Sequence, residues 1–156
     1  MSRFRIDVAD LLSHPGARRH VNLTEPVEGL AATAARVVDP IEVDLDLDHI
    51  SEGIVVRGAV RATWRGECSR CLSDLAQPLE LRVDELFEAS PVLGETYPLE
   101  GTEIDLDQLV RDAVLLDLPL APHCDSPCHP TPIGDTADTD EPPVDPRWAV
   151  LSELEI

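Results

Sequence analysis

"PIEVDLDLDHISEGIVVRGAVRATWRGECSRCL", residues 40–72, decides the architecture. Ile41, Val43, Leu45 and Leu47 alternate with Glu42, Asp44, Asp46 and Asp48. A period of two sends one set to a core and the other to water, which describes a half-buried strand. "SEG" supplies a turn, and "IVVRGAVRATWRG" alternates again. Val56, Val60, Ala62 and Trp64 share one face; Arg57, Arg61 and Arg65 share the other. Two alternating runs across a short turn form an antiparallel hairpin. Its acidic face lies beside its arginine face. The arginines then have two uses. They can pair across the ladder with Glu42, Asp44 and Asp46, each pair contributing from a few tenths to about 1 kcal/mol. They can instead hold RNA phosphates, with Arg70 as a fourth candidate.

Working outward, "LAQPLELRVDELFEA" is a third strand through Leu79, Leu81 and Val83, with a helical alternative open beyond Val83. "EIDLDQLVRDAVLLDLPL" changes period. Leu106, Leu109, Val110, Ala113 and Val114 fall on one helical stripe. Asp105 is a fair N-cap with Gln108 three residues on, a capping-box pattern, and Pro119 ends the helix. The chain then reaches Cys124 through "PLAP". Residues 129–146, "HPTPIGDTADTDEPPVDP", have almost nothing to bury and are expected to be mobile. "RWAVLSEL" after them is expected to form a short terminal helix docking Trp148, Leu151 and Leu154. The expected fold is α+β: an antiparallel, hairpin-rich, barrel-like sheet, one main helix and a flexible acidic C-terminal segment.

A length of 156 residues suits one domain with a modest core. No apolar run approaches the roughly 20 residues of a membrane span, and the start, "MSRFRIDVADLL", does not read as a signal peptide. The expected setting is the cytoplasm, where thiols stay reduced. The net charge is −19, and every basic residue is arginine. Residues 1–82 hold ten of the twelve arginines and thirteen of the thirty-one acids, a net of −3; residues 83–156 hold the remainder, a net of −16. Such a chain repels nucleic acid at long range and favours basic partners, or is simply kept soluble by its charge. No Gly-rich phosphate loop, nucleophile elbow or HExxH motif is present, so an enzyme is not expected, and a thiol-based redox or RNA-processing enzyme is only the second alternative. Asp105 and Asp107 stand at a helix start, where capping accounts for them. Nothing suggests a small-molecule substrate.

"GECSRCL" and "PHCDSPCHP" carry all four cysteines as two close pairs, Cys68 with Cys71 and Cys124 with Cys128. A CxxC turn lets two sulfurs reach one ion at about 2.3 Å, and a second pair completes the tetrahedral set of structural zinc. Such a closed site has no catalytic position. Free reduced thiols and a disulfide or redox pair are the alternatives. Cys68 and Cys71 do not open a helix in a thioredoxin-like βαβ pattern. His123 and His129 flank the second pair and are left out of the candidate set, because loop histidines are more often only solvated.

"GECSRCL" after an alternating strand resembles the YceD family, a bacterial and plastid group linked to accumulation of large-subunit ribosomal RNA. "DVADLLSHPGARRHV" is similar to the family's opening, "EGIVVRGAVRATWRGECSRCL" to its centre, "DLDQLVRDAVLLDLPLAPHC" to its helix and exit, and "DPRWAVLSEL" to the tail of many members. Cys128 is followed by "HPTPIGD", so the later cysteines of members with a full C-terminal cluster are absent. The resemblance implies one YceD-like domain over residues 1–128, with residues 129–156 as a tail. It implies a non-enzymatic role in ribosome biogenesis. Its partner is expected to be a basic ribosomal protein or a large-subunit ribosomal RNA precursor, the acidic surface favouring the former.

Overall fold

The computed structural model describes residues 4–125 and Cys128. The chain runs β1 (Arg5–Asp7), α1 (Ala9–Leu12), β2 (Arg18–Glu25), β3 (Ala35–Val37), β4 (Ile41–His49), β5 (Ile54–Glu67), β6 (Asp74–Glu88), β7 (Tyr97–Glu100), β8 (Glu103–Asp105) and α2 (Leu106–Asp117). The strands form a curled half-barrel in the order β1-β8-β7-β6-β5-β4-β2. The α+β architecture with one main helix is therefore present. Among the described residues every strand pairing is antiparallel except β6–β7, which is parallel through Phe87↔Tyr97, so the sheet is mixed and not purely antiparallel as expected. The expected tail of residues 129–156 and its terminal helix lie outside the described residues.

β4 and β5 pair from Glu42↔Arg61 to His49↔Ile54, the hairpin that the two alternating runs imply. Ile41, Val43, Leu45 and Leu47 are wholly buried, as are Val56 and Val60. β3 takes up the same flank of β5 where β4 leaves it, through Ala35↔Gly66 and Val37↔Trp64. β6 stays a strand past Val83 to Glu88, which closes the helical alternative. Pairing along β5 from Ile54↔Phe87 to Glu67↔Asp74 overrides the local propensity of "DELFEA". Pro78 is tolerated because, among the described residues, β5 alone flanks β6 at that level. The turn of this long hairpin, residues 68–73, contains the CxxC.

α2 packs on the sheet through buried Leu106, Leu109, Val110 and Val114. Asp105 caps it, its Oδ1 accepting from the backbone N–H of Asp107 at 2.9 Å. Gln108 donates to Asp112 at 2.7 Å. The helix stops at Asp117, because Leu118, with ψ 131°, precedes Pro119 and is held in the extended region.

Tyr97 stacks on Phe87 with ring centroids 5.2 Å apart. Its hydroxyl donates to Asp112 Oδ2 at 3.2 Å. Burial, helped by the Asp112 charge, pushes the phenol up to about 12. The chain has a single tyrosine, so its phenolate absorbance reports this group alone. We expect the absorbance midpoint well above the ordinary value of about 10. Because the folded value is the higher one, the contribution to stability is complete below about pH 10 and is lost as pH rises toward about 12. A midpoint near 10 in the folded protein would remove the contact.

Candidate metal centre

The turn between β5 and β6 is closed by the Cys68 N–H donating to Ser73 O at 2.9 Å and the Leu72 N–H donating to Cys68 O at 2.9 Å. Leu72 takes φ +59°, a left-handed conformation that costs a branched residue about 1–2 kcal/mol. The second pair arrives on the arm that follows α2. Ser69 anchors that arm: its N–H and its Oγ both donate to Pro122 O, at 2.8 and 3.1 Å. Gln77 Nε2 adds a bond to Asp125 Oδ2 at 3.3 Å. Cys124 is thus held over the hairpin end by contacts of its neighbours that do not involve sulfur.

All four sulfurs lie within 4.8 Å of one another. Cys68 Sγ is 3.8 Å from Cys128 Sγ, and Cys71 Sγ is 3.5 Å from Cys124 Sγ. Four sulfurs at about 2.3 Å from one tetrahedral centre are about 3.8 Å apart. A disulfide needs about 2.05 Å, and all four thiols are free. The arrangement is compatible with a metal site. The donor set is soft, sulfur only, which suits zinc or iron and not magnesium or calcium. His123 is exposed and outside the cluster; His129 lies outside the described residues.

The surroundings favour the charged form of the two hairpin sulfurs and oppose it at the two arm sulfurs. Backbone N–H groups of Cys71 and Arg70 lower the Cys68 thiol to about 5. The Ser73 hydroxyl, with Sγ···Oγ at 3.0 Å, and then the Ser73 backbone lower Cys71. Cys124 is pushed up to about 12 because its thiol proton bonds first to Cys71 and then to Cys68. Cys128 is raised by burial and then by its bond to Cys68.

The four candidate arginines separate into two kinds. Arg57 Nε donates to Asp84 Oδ1 at 2.9 Å and lies 4.0 Å from Asp48. Arg61 sits among Glu42 at 3.4 Å, Glu80 at 3.5 Å and Asp44 at 4.0 Å. Of the expected ladder acids, Glu42 and Asp44 pair as foreseen. Asp46 instead meets His20 Nδ1 at 3.0 Å. The additional partners Glu80 and Asp84 come from β6, whose register the local pattern does not specify. Arg65 and Arg70 are exposed and have no ion pair among the described residues. Arg65 faces Arg36 directly across the β3–β5 ladder. Sequence reasoning passed over Arg36, Ser69, Pro122 and Gln77. Only the short alternation of "ARV" hinted at β3.

No helix among the described residues is long and apolar enough to cross a membrane. No solved structure matches the chain significantly. An uncharacterized protein of Mycobacterium tuberculosis (strain H37Rv) is 33% identical over 170 residues, which cover 98% of this chain and 82% of the relative. An uncharacterized protein of Mycobacterium leprae is 33% identical over 168 residues, covering 95% and 76%. The family model described as "Large ribosomal RNA subunit accumulation protein YceD" matches residues 56–155, from the second half of the hairpin through the cysteine cluster, and the chain belongs to the YceD family.

Proposed function

We propose that this chain is a non-enzymatic ribosome-biogenesis factor of the cytoplasm, which supports large-subunit ribosomal RNA by holding a basic ribosomal protein. The family description names accumulation of that RNA and no catalysis. In this reading Cys68, Cys71, Cys124 and Cys128 bind one structural zinc. The ion locks the arm after α2 to the hairpin end and leaves no open coordination position. The thiols of Cys124 and Cys128 lose their protons on loading.

One observation carries the choice of partner. Arg57 and Arg61, the central cations of the outer sheet face, are engaged by carboxylates, and Glu42, Asp44, Asp46 and Asp48 run beside them in excess. A face of that kind, on a chain of net charge −19, offers a basic protein the charge it otherwise finds on RNA. Purified protein is expected to bind basic large-subunit ribosomal proteins saturably in fluorescence anisotropy, with affinity falling as salt is raised. Tight binding of long ribosomal RNA fragments, abolished by charge reversal at Arg57, Arg61, Arg65 and Arg70, together with indifference to basic ribosomal proteins, would replace this reading with direct RNA binding.

A further inference from the structure

Beside the cysteine cluster, the end of β5 carries an unusual charge order. Arg65 stands directly opposite Arg36 on β3, and two residues on, Glu67 stands directly opposite Asp74 on β6. Like charges facing each other across a ladder destabilise it. All four side chains are exposed, and none makes an ion pair among the described residues. In contrast, Arg5, Arg18, Arg19, Arg57, Arg61 and Arg111 each have a carboxylate within reach. Exchanging one residue of each pair would cancel the repulsion; the fold instead keeps a cationic step beside an anionic one.

Both steps line one cleft of about 850 Å³. Its remaining wall is small or apolar, with Ala32, Ala35, Leu72 and Leu75 among the lining residues. That volume lies within the roughly 300–1,000 Å³ range of small-molecule sites. The cleft owes its shape in part to Gly66, where a Cβ would come within 2.2 Å of the Ala34 carbonyl oxygen.

We propose that this cleft binds a ribonucleotide, with the phosphate between Arg36 and Arg65 and the amino or hydroxyl donors of the base and ribose on Glu67 and Asp74. Two guanidinium groups side by side suit a phosphate. Carboxylates accept from exocyclic amino groups and sugar hydroxyls. A purely anionic ligand, such as an acidic peptide, would meet repulsion at the second step. Long-range repulsion from the rest of the chain favours a short ligand, either a free nucleotide or one exposed in a single strand.

The test uses full-length, metal-loaded protein and two probes: a fluorescein-labelled single-stranded hexaribonucleotide, and unlabelled nucleoside monophosphates as competitors. Saturable hexamer binding is expected. Arg36→Ala with Arg65→Ala should weaken it by at least about tenfold, whereas Arg82→Ala, an exposed arginine elsewhere on the sheet without an ion pair among the described residues, should leave it unchanged. Competition by monophosphates at similar site concentration identifies the free nucleotide as the ligand; no competition, with hexamer binding intact, identifies the strand. Glu67→Gln with Asp74→Asn should weaken binding several-fold; tightening would show the carboxylates only repel, and would overturn the two-ended site. No binding of either probe, or equal loss in the Arg82→Ala control, would overturn the proposal altogether. All of these side chains are exposed, and thermal melts confirm that the variants fold.

Discussion

Removing the metal from purified protein with a zinc chelator is expected to lower the melting temperature by about 15 °C. With free zinc about a thousandfold above its dissociation constant, binding to the folded state alone adds about 4 kcal/mol. For a domain of this size each kcal/mol moves the melting temperature by a few degrees. Most of the sheet should survive, because Ile41, Val43, Leu45, Leu47 and Phe87 bury themselves without help from the cysteines. The arm that carries Cys124 should loosen, since among the described residues its remaining hydrogen bonds are those from Ser69 and Gln77. Cys68→Ser should reproduce most of the loss and abolish the response to chelator, because Cys68 is the fully buried member of the set. Identical melting curves with and without chelator, in protein shown to contain zinc beforehand, would contradict this.

The second large effect is at Gly58. It lies in the middle of β5 with φ +154°, paired in register with Leu45 of β4 and Val83 of β6. A Cβ there would come 2.1 Å from the Asp44 carbonyl oxygen and 2.9 Å from Leu45 Cα, both backbone atoms that cannot swing aside. Gly58→Ala must therefore push β4 away from β5 at the centre of the core. We expect a loss of about 3 kcal/mol or more, in the range kept for broken cores and strained backbones. Gly101→Ala is the control. Its φ of +64° disfavours a side chain, but nothing lies within 4 Å, so about 1–2 kcal/mol is expected. Urea denaturation of the two variants checks the ratio; equal losses would mean that the β4–β5 approach is looser than described.

The parts of the fold legible in the sequence are those written in local periodicity. The alternation in residues 41–48 and 54–66 gives β4, β5 and their hairpin, and the stripe from Leu106 to Val114 with the Asp105 cap gives α2. The two cysteine spacings pointed to one cluster of sulfurs, and the four sulfurs do come together. What local pattern leaves open is register between distant segments. β6 runs on through "DELFE" because β5 lies beside it, and β7 turns parallel because of the crossover through residues 89–96. The same limit hid the charge partners. Asp84 reaches Arg57 from a strand 27 residues away, and Arg36 faces Arg65 through a strand of three residues. The Ser69–Pro122 contact, which aligns the two cysteine turns, involves a backbone carbonyl and leaves no trace in residue type.

The most direct test of the four-sulfur centre is X-ray absorption at the zinc edge on protein purified without chelator, with metal content measured on the same sample. We expect one zinc per chain and a single shell of four sulfurs at about 2.3 Å. Protein free of metal yet fully folded, or a shell containing nitrogen or oxygen, would contradict the centre built from Cys68, Cys71, Cys124 and Cys128.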